Sequence, residues 1–182
     1  MALTVGTDSY VTLEMAEAYA LAGLDAGVWT AADAATREAA LREAHRALES
    51  LSGWRGVPYL DGQRSAWPRV QVYAPDGLAY PCGDPGEAES YPQPLRDAQC
   101  EEALERLKRR ADPTSAFIER DRANGIASRR SSDGADVHYG TVERYGGALY
   151  SQRAYLHVLP LLAQSFTGVS PLCPSNICRQ PA

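Results

Sequence analysis

The sequence predicts a mainly α fold: a small helical bundle carrying a long proline-rich aromatic loop, a β-hairpin arm and an extended C-terminal tail. Three observations carry this. Apolar residues recur at helical spacing in three stretches with helix start or stop residues at their ends. Residues 52–94 hold prolines at 58, 68, 75, 81, 85, 92 and 94 among Trp54, Tyr59, Trp67, Tyr73 and Tyr80. Beyond residue 116, an Asp-Gly pair sits between short alternating runs. The organisation that follows is a body at 1–115 including the loop 52–93, an arm at 116–150, and a short helix with a tail at 151–182.

The first helix is predicted over 12–22. Thr12 supplies a capping hydroxyl, Glu14 and Glu17 lie near the N-terminus, and Gly23 stops the helix. Leu13, Ala16 and Ala20 share one face. A second helix is predicted to begin near Thr30, with Asp33 three residues on. From Asp33 to Leu51 it places Leu41, Ala44, Leu48 and Leu51 on one face, with Arg37, Arg42 and Arg46 alternating with Glu38, Glu43 and Glu49 opposite. His45 lies within it and reads as a packing residue.

The segment 52–94 cannot hold long helices, yet it is too aromatic for a bare linker; an ordered loop folded over the helices is expected. Trp54, Trp67, Pro68 and Arg69 are its expected anchors, with Arg69 paired to a helix acid or a carbonyl. A third helix runs from Pro94 to about Ala111, with Leu95, Ala98, Leu104 and Leu107 on one face. Lys108, Arg109 and Arg110 complement its C-terminal dipole, and Asp112-Pro113 ends it. The acids at 101, 102 and 105 read as a solvated face. Next come the hairpin around Ser131-Ser132-Asp133-Gly134, a short apolar helix candidate at 154–166 interrupted by Pro160, and a Pro-rich tail.

Composition narrows the function classes. The chain has 182 residues, 45% hydrophobic and 23% charged, which is globular in character. No apolar run approaches the ~20 residues of a membrane span, and the N-terminus lacks the pattern of a signal peptide. The expectation is a protein with no membrane partner. Net charge is −5, and a single Lys accompanies seventeen Arg. That balance disfavours a protein whose main work is wrapping nucleic acid. Residues 1–50 hold eight acids and three bases, whereas 101–150 hold nine of each, so the two parts have different faces.

No constellation for catalysis emerges, and neither an enzyme nor a cofactor is expected. Cys173 and Cys178, with four residues between them, lack the further ligands that zinc requires. Cys100 falls inside a helix and reads as a buried structural thiol. For nucleic acid, Arg109, Arg110, Arg129 and Arg130 are the candidate contacts, weak and salt-sensitive, with helix-end charge matching as the simpler account. Residues 116–182 hold too few apolar residues for a core of their own. Leu156, Val158, Leu159, Leu161, Leu162 and Phe166 are therefore expected to expose an apolar patch that docks on a partner. Val137 and Tyr139 mark an edge strand able to pair in the same step.

The order of segments adds a resemblance. Asp8-Ser9-Tyr10-Val11-Thr12-Leu13-Glu14-Met15-Ala16-Glu17-Ala18-Tyr19 opens the chain. Trp29, the helix ending Ala-Leu-Arg-Glu-Ala-His-Arg-Ala-Leu at 40–48, Trp54-Arg55-Gly56, Gln63, Ala66-Trp67-Pro68-Arg69 and the helix 98–107 follow. This resembles a tailed-phage family labelled DnaT-like single-stranded-DNA-binding protein, whose members are similar to the head–tail connector adaptors beneath the portal. The resemblance implies a structural protein of the virion neck, in a homo-oligomeric ring of about twelve subunits. Its implied partners are the portal protein, a tail or stopper protein, and double-stranded DNA passing through the lumen. The alternative takes the label literally: a single-stranded-DNA-binding protein of phage replication.

Overall fold

Thr12 starts the first helix in the way its position predicts: its Oγ1 accepts from the Met15 amide at 3.2 Å. In the computed structural model, which describes residues 3–112, 114, 118, 128–130, 136–138 and 144–163, this helix, α1, spans Leu13–Ala22. Helices α2 (Ala26–Ala31), α3 (Ala34–Glu49) and α4 (Gln93–Ala111) follow, and α5 (Gln152–Val158) runs into a 3-10 turn at Leu159–Leu161. A two-stranded ladder pairs β1 (Val57–Pro58) with β2 (Arg69–Val70) inside the loop. A second pairs β3 (Ser128–Arg130) with β4 (Asp136–His138), antiparallel, with Arg129 opposite Val137. The mainly α class and the hairpin thus stand as the sequence predicts.

The second helix differs from its expectation. Asp33, not Thr30, is the cap, its Oδ1 accepting from the Thr36 amide at 2.7 Å. Thr30 belongs to the separate short α2, where its hydroxyl donates back to the carbonyls of Ala26 and Gly27. An acid accepts the orphan amide of a helix N-terminus and suits its dipole, which a mid-turn Thr cannot match. The break lets Trp29 turn inward to full burial, with Arg37 over its ring at 5.6 Å.

The core is two adjoining clusters. The first packs Val11, Ala16, Ala20, Trp29, Leu41, Ala44, Ala103, Leu104 and Leu107 between α1, α2, α3 and α4. Leu13, expected in this core, is only half-buried; the small Ala16 and Ala20 make the close approach instead. Cys100 is buried here, and that burial pushes its thiol up to about 12, consistent with an inert structural role. The second cluster gathers Tyr10, Leu48, Leu51, Trp67, Val72, Tyr91, Leu95, Leu149, Val158 and Leu161.

That second cluster corrects the expected C-terminal patch. Val158 and Leu161 are fully buried against α3 and α4, together with Leu149 and Ala154. Leu159 and Leu162 are half-buried, and only Leu156 stays open at 55% exposure. The reason is geometric. The chain returns antiparallel along Trp54, and Arg55 N–H donates to the Leu161 carbonyl at 2.9 Å while Ala163 N–H donates to that of Gly53. Residues that could not build a core alone complete the core of the helical body, and each large side chain so buried contributes about 1.5–3 kcal/mol. Phe166, Tyr139, Cys173 and Cys178 lie outside the described residues.

Candidate functional site

Two surfaces are candidates for function: the loop between α3 and α4, and the face where residues 144–163 meet α4. The loop is held by a partly buried carboxylate. Glu49, at the last turn of α3, accepts the Ala66 amide at 2.8 Å and the Tyr10 hydroxyl. Ser65 donates to the Gly6 carbonyl at 3.0 Å, and Trp67 sinks to full burial with Trp54 edge-on at 5.8 Å. Pro68, joined to Trp67 by a cis peptide, is also buried. Arg69 donates to three carbonyls, those of Arg55, Gly56 and Ala66, at 2.7–3.1 Å. Burial holds its guanidinium below its ordinary value. A Cβ at Gly56, where φ is +70°, would stand 2.1 Å from the Val70 carbonyl, so only glycine lets β1 approach β2.

This anchored loop turns several large apolar side chains outward, among exposed polar ones such as Arg55, Asp61 and Arg64. Val57, Tyr59, Leu60, Tyr73 and Leu78 are all 42–69% exposed, although the ladder and the buried Trp67 hold the loop in place. Of the guanidiniums in this loop, that of Arg69 is committed to the backbone, while Arg55 and Arg64 are exposed. A strand-binding groove for nucleic acid sets cations beside its aromatic rings; among the described residues no guanidinium lies over the ring of Tyr59 or Tyr73. Cys82 is exposed in the same loop.

The second surface turns on Glu102. It was expected on a solvated helix face, yet it is fully buried. Its carboxylate accepts the amides of Tyr150 at 3.0 Å and Ser151 at 2.9 Å, and the Arg106 Nε–H at 2.9 Å. Burial pushes its carboxyl up, opposed by those two amides and the guanidinium. Ser151 then caps α5 through the Ala154 amide. The missed signal is positional: Glu102 stands three and seven residues beyond Gln99 and Leu95, on the inward stripe of α4. Gln99, one turn earlier, is the polar partner of the Asp8-Ser9-Tyr10 segment. It accepts from the Tyr10 amide at 2.7 Å and donates to Ser9 Oγ and the Leu41 carbonyl, both at 2.9 Å.

Beside Glu102, three guanidiniums converge on one ring. Arg109, Arg144 and Arg106 lie 4.4, 4.9 and 5.1 Å from the centre of Tyr150. Arg109 also meets Glu105 at 3.1 Å, and Arg144 donates to the Tyr150 hydroxyl at 2.9 Å. Sequence places Arg106 and Arg109 in one basic helix end but misses Arg144 and Tyr150, whose separation along the chain hides the convergence. Arg110 is exposed near Asp33, away from this cluster. Arg129 and Arg130 lie on β3, and Val137 on β4.

Among the described residues, no group of three or more His, Cys, Asp and Glu could hold a metal ion. No described helix is long and apolar enough to cross a membrane. His45 is a packing residue: its ring lies 4.6 Å from that of Tyr10, and burial lowers it to about 4.

Comparison with known proteins gives one family. The family model described as "Putative DnaT-like ssDNA binding protein" matches residues 2–169. No curated protein and no solved structure matches the chain.

Proposed function

We propose that this chain, which belongs to the DnaT-like family, is a structural adaptor of a tailed-phage neck rather than an enzyme. In this reading it assembles as a ring beneath the portal, joins the capsid to a tail or stopper protein, and lets DNA pass through its lumen. The observation that carries the reading is the loop: an anchored segment that turns Val57, Tyr59, Leu60, Tyr73 and Leu78 to solvent. Large side chains held open on an ordered scaffold fit burial against another protein subunit. The Asp8–Tyr19 and Ala66–Arg69 segments resemble a tailed-phage family whose members are similar to connector adaptors, which supports the same reading.

The test is co-sedimentation of the full chain with portal rings from the same phage. Wild-type protein pellets with the portal, and Tyr59→Ser with Leu60→Ser weakens the association at least ten-fold while melting unchanged. Equal binding by the double variant removes the loop from the interface. No association of the wild type removes the adaptor reading.

The family description itself favours a second reading, single-stranded-DNA binding. Sub-micromolar binding to an oligonucleotide that persists at about 200 mM salt puts that reading first.

A further inference from the structure

We propose that the cleft between the end of α3 and the segment 144–150 is a contact site for the nucleic-acid phosphate backbone, blind to base and to strandedness. The cleft encloses about 330 Å³ and is lined by Arg46, Arg106 and Arg144, with Glu43, Ser50 and Tyr150. Three guanidiniums thus meet two carboxylates, Glu43 in the cleft and Glu102 behind Arg106, which leaves a net positive charge. Glu43 is already engaged on both oxygens, by Arg46 on one and by Arg106 at 3.8 Å on the other. Arg144 has no carboxylate partner among the described residues; its guanidinium donates to the Tyr150 hydroxyl, itself an acceptor with little charge. Arg46 extends 70% exposed at the rim. A guanidinium pair at the mouth of a cleft, with its counter-charge already satisfied, suits a phosphodiester, which accepts two parallel N–H bonds and leaves its own water in exchange.

The ring of Tyr150 decides the specificity. Single-stranded-DNA grooves gain most of their preference from bases stacked on aromatic faces. Here Arg106, Arg109 and Arg144 already lie within 5.1 Å of the ring centre. They draw their cation–π stabilisation from it and take the room a base would need. What remains for a nucleic acid is charge and hydrogen bonding to phosphate, which positions a chain without reading it. Glu102 behind the cleft fixes the geometry by holding Tyr150 and Arg106 together.

This goes beyond the adaptor reading, since the contact is asked of the isolated chain. Ring assembly can fail while DNA binding holds, and the reverse. The experiment is fluorescence anisotropy of the full chain with labelled oligo-dT of about 20 nucleotides and a duplex of about 20 base pairs, from ~25 to ~200 mM salt. The wild type binds both weakly, with the duplex bound at least as tightly as the single strand. Arg46→Gln with Arg144→Gln lowers affinity about ten-fold at the lowest salt and flattens the salt slope by about two. Arg144→Gln alone, at an exposed position, does half as much, and Arg64→Gln in the loop leaves binding unchanged. Absent wild-type binding, undiminished binding by the double variant, or a ten-fold preference for the single strand overturns the proposal. So does displacement of DNA by polyglutamate at equal charge, which assigns the cleft to an acidic protein.

Discussion

Replacing Glu102 by Ala tests how the C-terminal segment is joined to the body. The substitution removes one carboxylate from a site with no solvent exposure. Two backbone amides, of Tyr150 and Ser151, and the Arg106 Nε–H then lose their acceptor. An unsatisfied buried donor costs about 1–3 kcal/mol, and removing one partner of a buried ion pair costs about 3–5 kcal/mol. These overlap because Arg106, 21% exposed, can reach water or Glu43. The amides cannot turn away without unwinding the start of α5. The expected loss is therefore about 3–5 kcal/mol, a melting shift of roughly 10 °C in a chain of this size. Glu102→Gln, keeping one acceptor oxygen, falls between the two. Denaturant melts followed by circular dichroism give the stability, and amide exchange at Tyr150 and Ser151 locates it. A loss under about 1 kcal/mol, or unchanged protection of those two amides, refutes the clamp.

His45 makes stability depend on pH. Its folded-state value is lowered to about 4 from 6.5, so below the unfolded value the unfolded chain takes a proton that the folded chain refuses. Stability is therefore lost as pH falls from about 6.5 towards 4, by about 3 kcal/mol at the limit. Asp8, Arg46 and Glu49 act on the same site, and burial pushes the Glu49 carboxyl up, which acts in the opposite direction at acid pH. The difference in denaturant midpoint between wild type and His45→Gln across that range isolates the histidine; a difference that does not change with pH contradicts it. Leu161→Ala is expected to cost about 2–5 kcal/mol in denaturant melts, whereas Leu156→Ala on the same segment stays within about 0.5 kcal/mol. Equal effects mean the inward face of this segment is misassigned. Tyr59→Ser with Leu60→Ser leaves thermal melting almost unmoved and weakens association with the portal, as read by sedimentation.

The helices were legible because their signals are local. Thr12 and the proline–proline start at 92–94 lie beside the residues they organise, and the apolar spacing of Leu41, Ala44 and Leu48 recurs within single turns. The hairpin was legible for the same reason, through the Asp-Gly pair that lies in sequence between β3 and β4. The C-terminal segment was not. The core that Val158 and Leu161 join lies far away in sequence; Leu51, Trp67 and Leu95 meet them only through the return of the chain along Trp54. Polar residues inside the body were harder still. Glu102 and Gln99 occupy inward positions of α4, where a polar side chain makes sense only beside amides far away in sequence. The Arg106–Arg109–Arg144 cluster depends on that same distant closure, so composition showed arginines in this region without showing which ones meet. For the loop, Trp67 and Arg69 were visible as anchors, while Glu49, which accepts the Ala66 amide, looked like one more charge on the polar face of α3.

The adaptor account stands most directly on imaging of the purified full chain with and without the portal of its phage. It predicts closed rings seated coaxially on the portal, with the loop 57–78 buried between subunits or against the portal. A chain that remains dispersed beside intact portal rings, while coating single-stranded DNA at salt near 200 mM, roughly the level at which weak phosphate contacts are lost, contradicts it.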